Sequence, residues 1–209
     1  MNKKRILEYL KYQGEIDIRT NQLIDECIDE VCELAHFKVI TKELSLSHHP
    51  LCIPEFNLLF QSKDLDFYFQ DCQKCLIIAC TLGIQIDRKI QYYQHIDMSK
   101  AVIFDAVSSY YLEKCCDDYE KTLDLGVHTF RFAPGYGDLP LKLNIPLSQL
   151  LKIDKEIGVF INDGGLFIPM KSMLGIIGLG KACQKTCLSC IRKEQCELRK
   201  GGLRCYVKD

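Results

Sequence analysis

Hydrophobic residues recur at the spacing of amphipathic helices through much of the first half of the chain. Apolar positions three and four residues apart predict a helix over residues 20–36, with Asp17 or Thr20 as its N-terminal cap. The same pattern predicts helices over residues 64–74 and from Met98 to about Tyr119. The last of these is the longest helical pattern in the chain.

Continuous apolar runs bounded by turn residues predict strands. Residues 75–80 form an apolar run typical of a buried strand, and Gly83 then permits a turn into another helix. A strand-like run also covers residues 127–132, and a helix is predicted near Leu147, with Asn144 as its cap. Three short strands are predicted after it: Val159–Asn162, Leu166–Ile168 and Met173–Leu179.

Helices that come first and hairpins that come later favour an α+β fold over a repeating βαβ pattern. We therefore predict a twisted antiparallel sheet flanked by helices. The chain has 209 residues with 47% hydrophobic and 26% charged residues, which is ordinary for one compact globular domain. No apolar run is long enough for a membrane span, and charged residues interrupt the basic N-terminus where a signal peptide would be apolar. We expect a cytoplasmic protein without a membrane partner.

The composition changes after residue 180, which divides the chain into a body of residues 1–180 and a tail of residues 181–209. The tail holds eight basic and three acidic residues, a net charge of +5, whereas the whole chain carries −1. This charge is modest and Tyr206 is the tail's one aromatic residue, so we expect no nucleic-acid partner. Five of the thirteen cysteines lie in the tail. They are Cys183, Cys187, Cys190, Cys196 and Cys205.

Dense cysteines in a cytoplasmic chain favour a metal site over disulfides. Four thiolates can hold a tetrahedral zinc ion or an iron–sulfur cluster, and the spacing does not choose between them. A loose, basic and reduced tail is the alternative. Most of the other eight cysteines are predicted to be reduced packing residues, among them Cys27, Cys32 and Cys72.

The stretch most suggestive of ligand binding is residues 131–138, with the sequence RFAPGYGD. Pro134 restricts the backbone, and the two glycines that follow can adopt φ > 0 and let a ligand approach closely. Arg131 offers a fork of donors for a carboxylate or phosphate, and Tyr136 offers a flat amphipathic face. These residue types predict a ligand-binding turn.

The R-x-x-P-G-Y pattern of this turn resembles the S-adenosylmethionine-binding turn in the activation (reactivation) domain of vitamin B12-dependent methionine synthase. Other stretches agree in the right order, and together the resemblance spans Ile6 to Gly180. They are Cys80–Gly83, Asp105-Ala106 on the long helix that reaches Glu113, and Pro169–Ser172 leading to Gly175.

The resemblance implies roles for individual residues. Arg131 and the backbones of Ala133 and Gly135 would contact S-adenosylmethionine, and Arg131 would pair with its carboxylate. Tyr136 would face the corrin ring of a docked cobalamin. The candidates for the positive groups of the ligand, its ammonium and sulfonium, are Glu113 and Asp138.

The implied function is support of reductive methylation, in which an electron and the methyl group of S-adenosylmethionine restore methylcobalamin. The chain contains nothing like the homocysteine, folate or cobalamin modules. It would therefore act on a separate corrinoid protein, such as the cobalamin-binding domain of a methionine synthase, with a reductase as the electron source. The resemblance implies an accessory of a methyltransferase, with no catalytic residue of its own.

Two other functions remain open. The long form of the domain carries two tyrosines beyond its Ser-x-x-Gly stretch, and residues 178–181 have none. An alternative is therefore that the protein docks on a corrinoid protein but no longer binds S-adenosylmethionine. Another is an iron–sulfur electron-transfer protein built on the tail. An Arg131 buried in an internal ion pair, with no cleft beside it, would exclude donor binding at this turn.

Overall fold

The structure is a computed structural model that describes residues 1–12, 14–183, 194 and 197–200. The helices are α1 (Lys3–Tyr9), α2 (Ile18–Leu34), α3 (Lys63–Phe69), α4 (Ile84–Ile96), α5 (Met98–Glu120), α6 (Asn144–Leu151), α7 (Ile153–Glu156) and α8 (Glu197–Lys200). The strands are β1 (Lys38–Ser45), β2 (Cys52–Ile53), β3 (Leu58–Leu59), β4 (Lys74–Thr81), β5 (Phe160–Ile161), β6 (Phe167–Ile168) and β7 (Ser172–Leu179). Short 3-10 helices cover Pro54–Phe56 and Leu141–Leu143. Among the described residues, no helix combines the length and apolarity needed to cross a bilayer.

The main sheet has three antiparallel strands in the order β1-β4-β7. The central strand β4 is buried along nearly its whole length, and its side chains alternate between two cores. Cys75, Ile77 and Ala79 pack with residues of α3, α6 and α7 on one face. Leu76 and Ile78 pack with residues of α1, α2, α4 and α5 on the other. The predicted α+β class is confirmed.

Local signals account for most of the helices. Asp17 caps α2 by accepting a hydrogen bond from the backbone nitrogen of Thr20 at 2.7 Å, as one of the two predicted caps. Gly83, with φ of 84°, donates to the Thr81 hydroxyl and turns the chain from β4 into α4. The predicted cap at Asn144 is wrong, because Asn144 is the first residue of α6 and its side chain donates to the carbonyl of Gly165.

Three other expectations need correction. The predicted helix over residues 64–74 ends at Phe69, and the chain turns before β4 begins. Residues 127–132 form no regular strand but run beside β7, with Phe132 and Ile176 exchanging backbone hydrogen bonds of 2.8 Å. Cys27 and Cys72 are buried as predicted, but Cys32 is exposed on the outer side of α2.

Candidate ligand cleft

The turn of residues 131–138 is held by its own backbone. Gly135, with φ of 93°, donates to the carbonyl of Leu139 at 2.8 Å, and Tyr136 donates to the carbonyl of Ala133 at 3.0 Å. Gly137, with φ of 55°, lies so close to the Asp64 carboxylate that a side chain there would collide with it. The glycines therefore shape the turn and pack it against α3.

The Arg131 side chain points to the opposite face of the main sheet from the Phe132 side chain. Its aliphatic stem lies directly over Gly175 of β7, where a Cβ atom would come within 2.3 Å of Arg131 Cγ. The guanidinium then reaches three carboxylates on one side of α5. Nη2 lies 2.6 Å from Glu113 Oε2 and 3.0 Å from Asp117 Oδ1, and Nη1 pairs with Glu120. The Arg131 side chain is only 12% exposed.

The cluster of Arg131 with these three acids, which we call the acidic cluster, carries more negative than positive charge. Burial alone would lower the pKa of Arg131, but Cys116 and the three carboxylates outweigh burial and raise it, so the guanidinium stays charged. Burial raises the pKa of Glu120, although Arg131 opposes the rise. Glu113 and Asp117 are 41% and 53% exposed, so the surplus of negative charge faces outward.

A cleft of about 210 Å³ opens beside the turn and the acidic cluster. Its walls come from the turn, from α5, from the β5–β6 hairpin and from the start of β7. The lining residues are Glu113, Arg131, Ala133, Pro134, Tyr136, Leu141, Asn144, Gly165, Leu166, Phe167, Ser172, Met173 and Leu174. The wall thus combines an anionic end with apolar and backbone surface.

The structure brings together four of the six residues predicted to contact a ligand. Arg131, Ala133, Tyr136 and Glu113 line the cleft, whereas Gly135 and Asp138 do not. Bidentate pairing of Arg131 with a ligand carboxylate does not match the geometry, because its guanidinium already contacts three carboxylates of α5. Arg131 is therefore buried in an internal ion pair, but a cleft lies beside it.

Asp138 has a structural role that the sequence did not suggest. Its carboxylate accepts hydrogen bonds from the Ser62 hydroxyl at 2.5 Å and from the backbone nitrogens of Lys63 at 2.8 Å and Asp64 at 3.4 Å. Partial burial alone would raise the pKa of Asp138, but these hydrogen bonds outweigh it and lower that pKa. Asp138 therefore ties the end of the turn to the N-terminus of α3.

Replacing Asp138 with alanine is expected to lower the free energy of unfolding by about 2 kcal/mol at neutral pH, because hydrogen bonds to a charged acceptor are lost. A carboxylate with a lowered pKa stabilises the fold above its unfolded pKa of about 3.9. The difference between wild type and variant should therefore shrink as the pH falls through the folded-state pKa, which lies below the unfolded value. Urea denaturation from about pH 1.5 to 7 measures it, with exposed Asp163→Ala as the control. A difference that is undiminished at the acid end would contradict this assignment.

The fold has a solved counterpart. The structure matches the reactivation domain of MetH, solved with AdoHcy bound, with a TM-score of 0.57. The match covers 95% of this chain and 76% of that domain, at 15% sequence identity. No family model and no curated protein matches the chain. The likeness therefore establishes a shared fold.

Three residues that the sequence analysis did not single out interact with residues that line the cleft, although they do not line it themselves. Asp117 and Glu120 follow Glu113 by four and seven residues, which places all three on one side of α5. That spacing is a signal that could have identified the acidic cluster. Tyr9, from the other end of the chain, interacts electrostatically with Glu113 and Tyr136 and had no such signal.

The metal prediction falls mostly outside the described residues. Cys187, Cys190, Cys196 and Cys205 are not among them. Cys183 is partly buried against the core, and its backbone forms a bridge with Thr129. Among the residues that the structure describes, no group of three or more potential metal ligands occurs. A zinc or iron–sulfur site on the tail stays a prediction.

Proposed function

We propose that this protein binds S-adenosylmethionine in the cleft and supports reductive methylation of cobalamin held by a separate corrinoid protein. The observation that carries the proposal is the position of the cleft. It opens beside the R-x-x-P-G-Y turn, in a chain with the fold of a reactivation domain that binds AdoHcy. The partner would be the cobalamin-binding domain of a methionine synthase or of a related methyltransferase.

The charge of the cleft suits this donor. S-adenosylmethionine has two positive groups, a sulfonium and an ammonium, and one carboxylate. The acidic cluster has three carboxylates and one guanidinium, so the two carry opposite net charges. Glu113 is the carboxylate that both lines the cleft and remains partly exposed, so it is the group best placed to attract the cationic end. Arg131 would hold Glu113 and Asp117 in place, not bind the ligand carboxylate.

The size of the cleft suits a transfer between two molecules. Its volume of about 210 Å³ is smaller than the 300–1,000 Å³ typical of pockets that enclose a ligand. A donor bound here would keep one side open to a docked partner.

The rim of the cleft supports the same arrangement. Tyr136 and Leu166 line the cleft and are 45% and 56% exposed. An exposed apolar surface beside a ligand cleft can cover the flat face of a corrin and exclude water from the transfer.

The chain's own contribution would be binding, orientation and exclusion of water. The corrinoid partner supplies the cobalt chemistry, in which one electron and one methyl group are added and the donor becomes S-adenosylhomocysteine. A reductase or another electron donor must provide the electron. Tyr136 would lie between the bound donor and the partner.

One observation favours a second candidate function, in which the protein docks on a corrinoid protein but does not bind S-adenosylmethionine. The guanidinium of Arg131 already pairs with Glu113, Asp117 and Glu120, which leaves the ligand carboxylate without an obvious cation. Titration calorimetry separates the two functions. Saturable binding of S-adenosylmethionine supports the first, and no heat of binding up to millimolar donor supports the second.

Glu113→Gln is expected to weaken the binding of S-adenosylmethionine about tenfold, which corresponds to about 1.4 kcal/mol. Binding of S-adenosylhomocysteine should weaken to a similar extent, because it keeps the ammonium group that Glu113 is proposed to pair with. Calorimetry with both ligands measures the two losses. Glu43→Gln is the matched control, because Glu43 is ion-paired and half-exposed on β1. A loss confined to S-adenosylmethionine would argue against an ammonium partner at Glu113, because only the sulfonium distinguishes the two ligands.

A further inference from the structure

The N-terminal helix α1 lies along α5, the helix that carries the acidic cluster. Ile6 of α1 is fully buried in the core beneath it. At the start of α1, the backbone nitrogen of Asn2 donates to the hydroxyl of Tyr110 at 3.2 Å. Seven residues of helix advance about 10 Å. The charges of Glu113 and Asp117 act on Tyr9 at the end of α1, so α1 runs along α5 from Tyr110 toward these acids.

Tyr9 does not line the cleft, but its phenol interacts electrostatically with Glu113 and Tyr136, which do. Burial, together with the negative charges of Glu113 and Asp117, raises the pKa of Tyr9 despite the opposing effect of Arg5. The hydroxyl therefore stays protonated at neutral pH and remains a hydrogen-bond donor. Within the described part of the chain, that hydroxyl donates no hydrogen bond, and the side chain is 44% exposed.

A hydrogen-bond donor at this place would provide a partner for the carboxylate of the ligand. The ammonium and the carboxylate of S-adenosylmethionine are attached to the same carbon atom. A ligand whose ammonium pairs with Glu113 must therefore place its carboxylate within a few ångströms of the acidic cluster. Both terminal nitrogens of Arg131 already contact the three carboxylates there, so a hydrogen-bond donor from another element would serve the ligand carboxylate.

The following inference rests on the proposed function. We infer that the Tyr9 hydroxyl donates a hydrogen bond to the carboxylate of S-adenosylmethionine, so that α1 completes the ligand site from the far end of the chain. The acidic cluster would bind the positive groups of the ligand, and Tyr9 would bind its negative group. Tyr9 is then a specificity residue that recognises the amino-acid end of the donor.

The test compares S-adenosylmethionine with its decarboxylated analogue by titration calorimetry of the full chain. Tyr9→Phe is expected to weaken the binding of S-adenosylmethionine about tenfold, since one hydrogen bond to a charged group is lost. The same variant should bind the decarboxylated analogue as the wild type does, within about twofold. Tyr12→Phe is the matched control, because Tyr12 is 48% exposed nearby and its hydroxyl donates to the carbonyl of Glu15.

The outcomes that overturn the inference are distinct. Equal weakening of both ligands by Tyr9→Phe would assign Tyr9 a purely structural role. Unchanged binding of both ligands would show that Tyr9 makes no contact with the ligand. A wild-type protein that binds neither ligand would remove the proposed function, and this inference with it. Binding by the wild type without sensitivity to Tyr9 would remove the inference alone.

Discussion

Replacing Arg131 with methionine is expected to lower the free energy of unfolding by about 3–5 kcal/mol, because it removes the positive charge from a largely buried ion-pair cluster. Methionine keeps much of the apolar stem over Gly175, so the loss reports mainly on charge. Without the guanidinium, Glu113, Asp117 and Glu120 repel one another, and Glu120 has only 19% of its side chain exposed. Chemical denaturation monitored by circular dichroism measures the loss.

The pH dependence of this loss identifies its cause. Burial already raises the pKa of Glu120 in the folded protein, and removal of Arg131 should raise it further. A carboxyl group with a raised folded-state pKa stabilises the fold below its unfolded pKa, and this stabilisation is lost as the pH rises through the folded value. The free energy of unfolding that Arg131→Met loses relative to the wild type should therefore be larger at pH 8 than at pH 5.

A matched control separates this effect from a general loss of charge. Lys121→Met breaks the ion pair between Lys121 and Asp118 on the exposed side of α5, where Lys121 is 74% exposed. Exposed pairs contribute little to stability, so this variant should unfold close to the wild type at both pH values. An Arg131→Met deficit that is small, or that is the same at pH 5 and pH 8, would show that the acidic cluster does not depend on Arg131.

The sequence predicted those elements whose signals are local. The helix pattern and the cap at Asp17 lie within a few residues of each other, and α2 forms there. The apolar run of β4 is explained by burial on both faces. The edge strand β1 was not predicted, because it is mostly half-exposed and contains Lys38, Lys42 and Glu43. A pattern of this kind becomes a strand through its pairing with β4.

The candidate site shows the same difference between features with local signals and features set by long-range packing. Pro134 and the glycines indicated a ligand-binding turn from their own conformational preferences, and a cleft lies beside that turn. The direction of the Arg131 side chain depends on the crossing of β7 and α5, which no local pattern specifies. Tyr9 reaches the same region only because α1 packs on α5. Local chemistry thus predicted the turn, and long-range packing determines which groups surround it.

Gly175→Ala tests whether Arg131 needs the absence of a side chain on β7. A Cβ at residue 175 would lie 2.3 Å from Arg131 Cγ and 2.6 Å from Cδ, well inside van der Waals contact. The stem cannot swing aside freely, because the guanidinium at its end is held by carboxylates of α5. We expect a loss of about 1–3 kcal/mol, the usual cost of overpacking a core, and weaker binding of S-adenosylmethionine as Glu113 loses its partner.

A double-mutant cycle with Arg131→Ala decides the origin of that loss. Alanine at residue 131 removes both atoms that the new methyl group would meet, so Gly175→Ala should cost much less in that background. Gly178→Ala on the same strand is the matched control. Its Cβ would lie 2.6 Å from Cys72 Sγ on the other face of the sheet, so its cost should not depend on residue 131. Additive effects of Gly175→Ala and Arg131→Ala would show that the glycine serves the sheet itself, because contact with the arginine stem requires the two to be coupled.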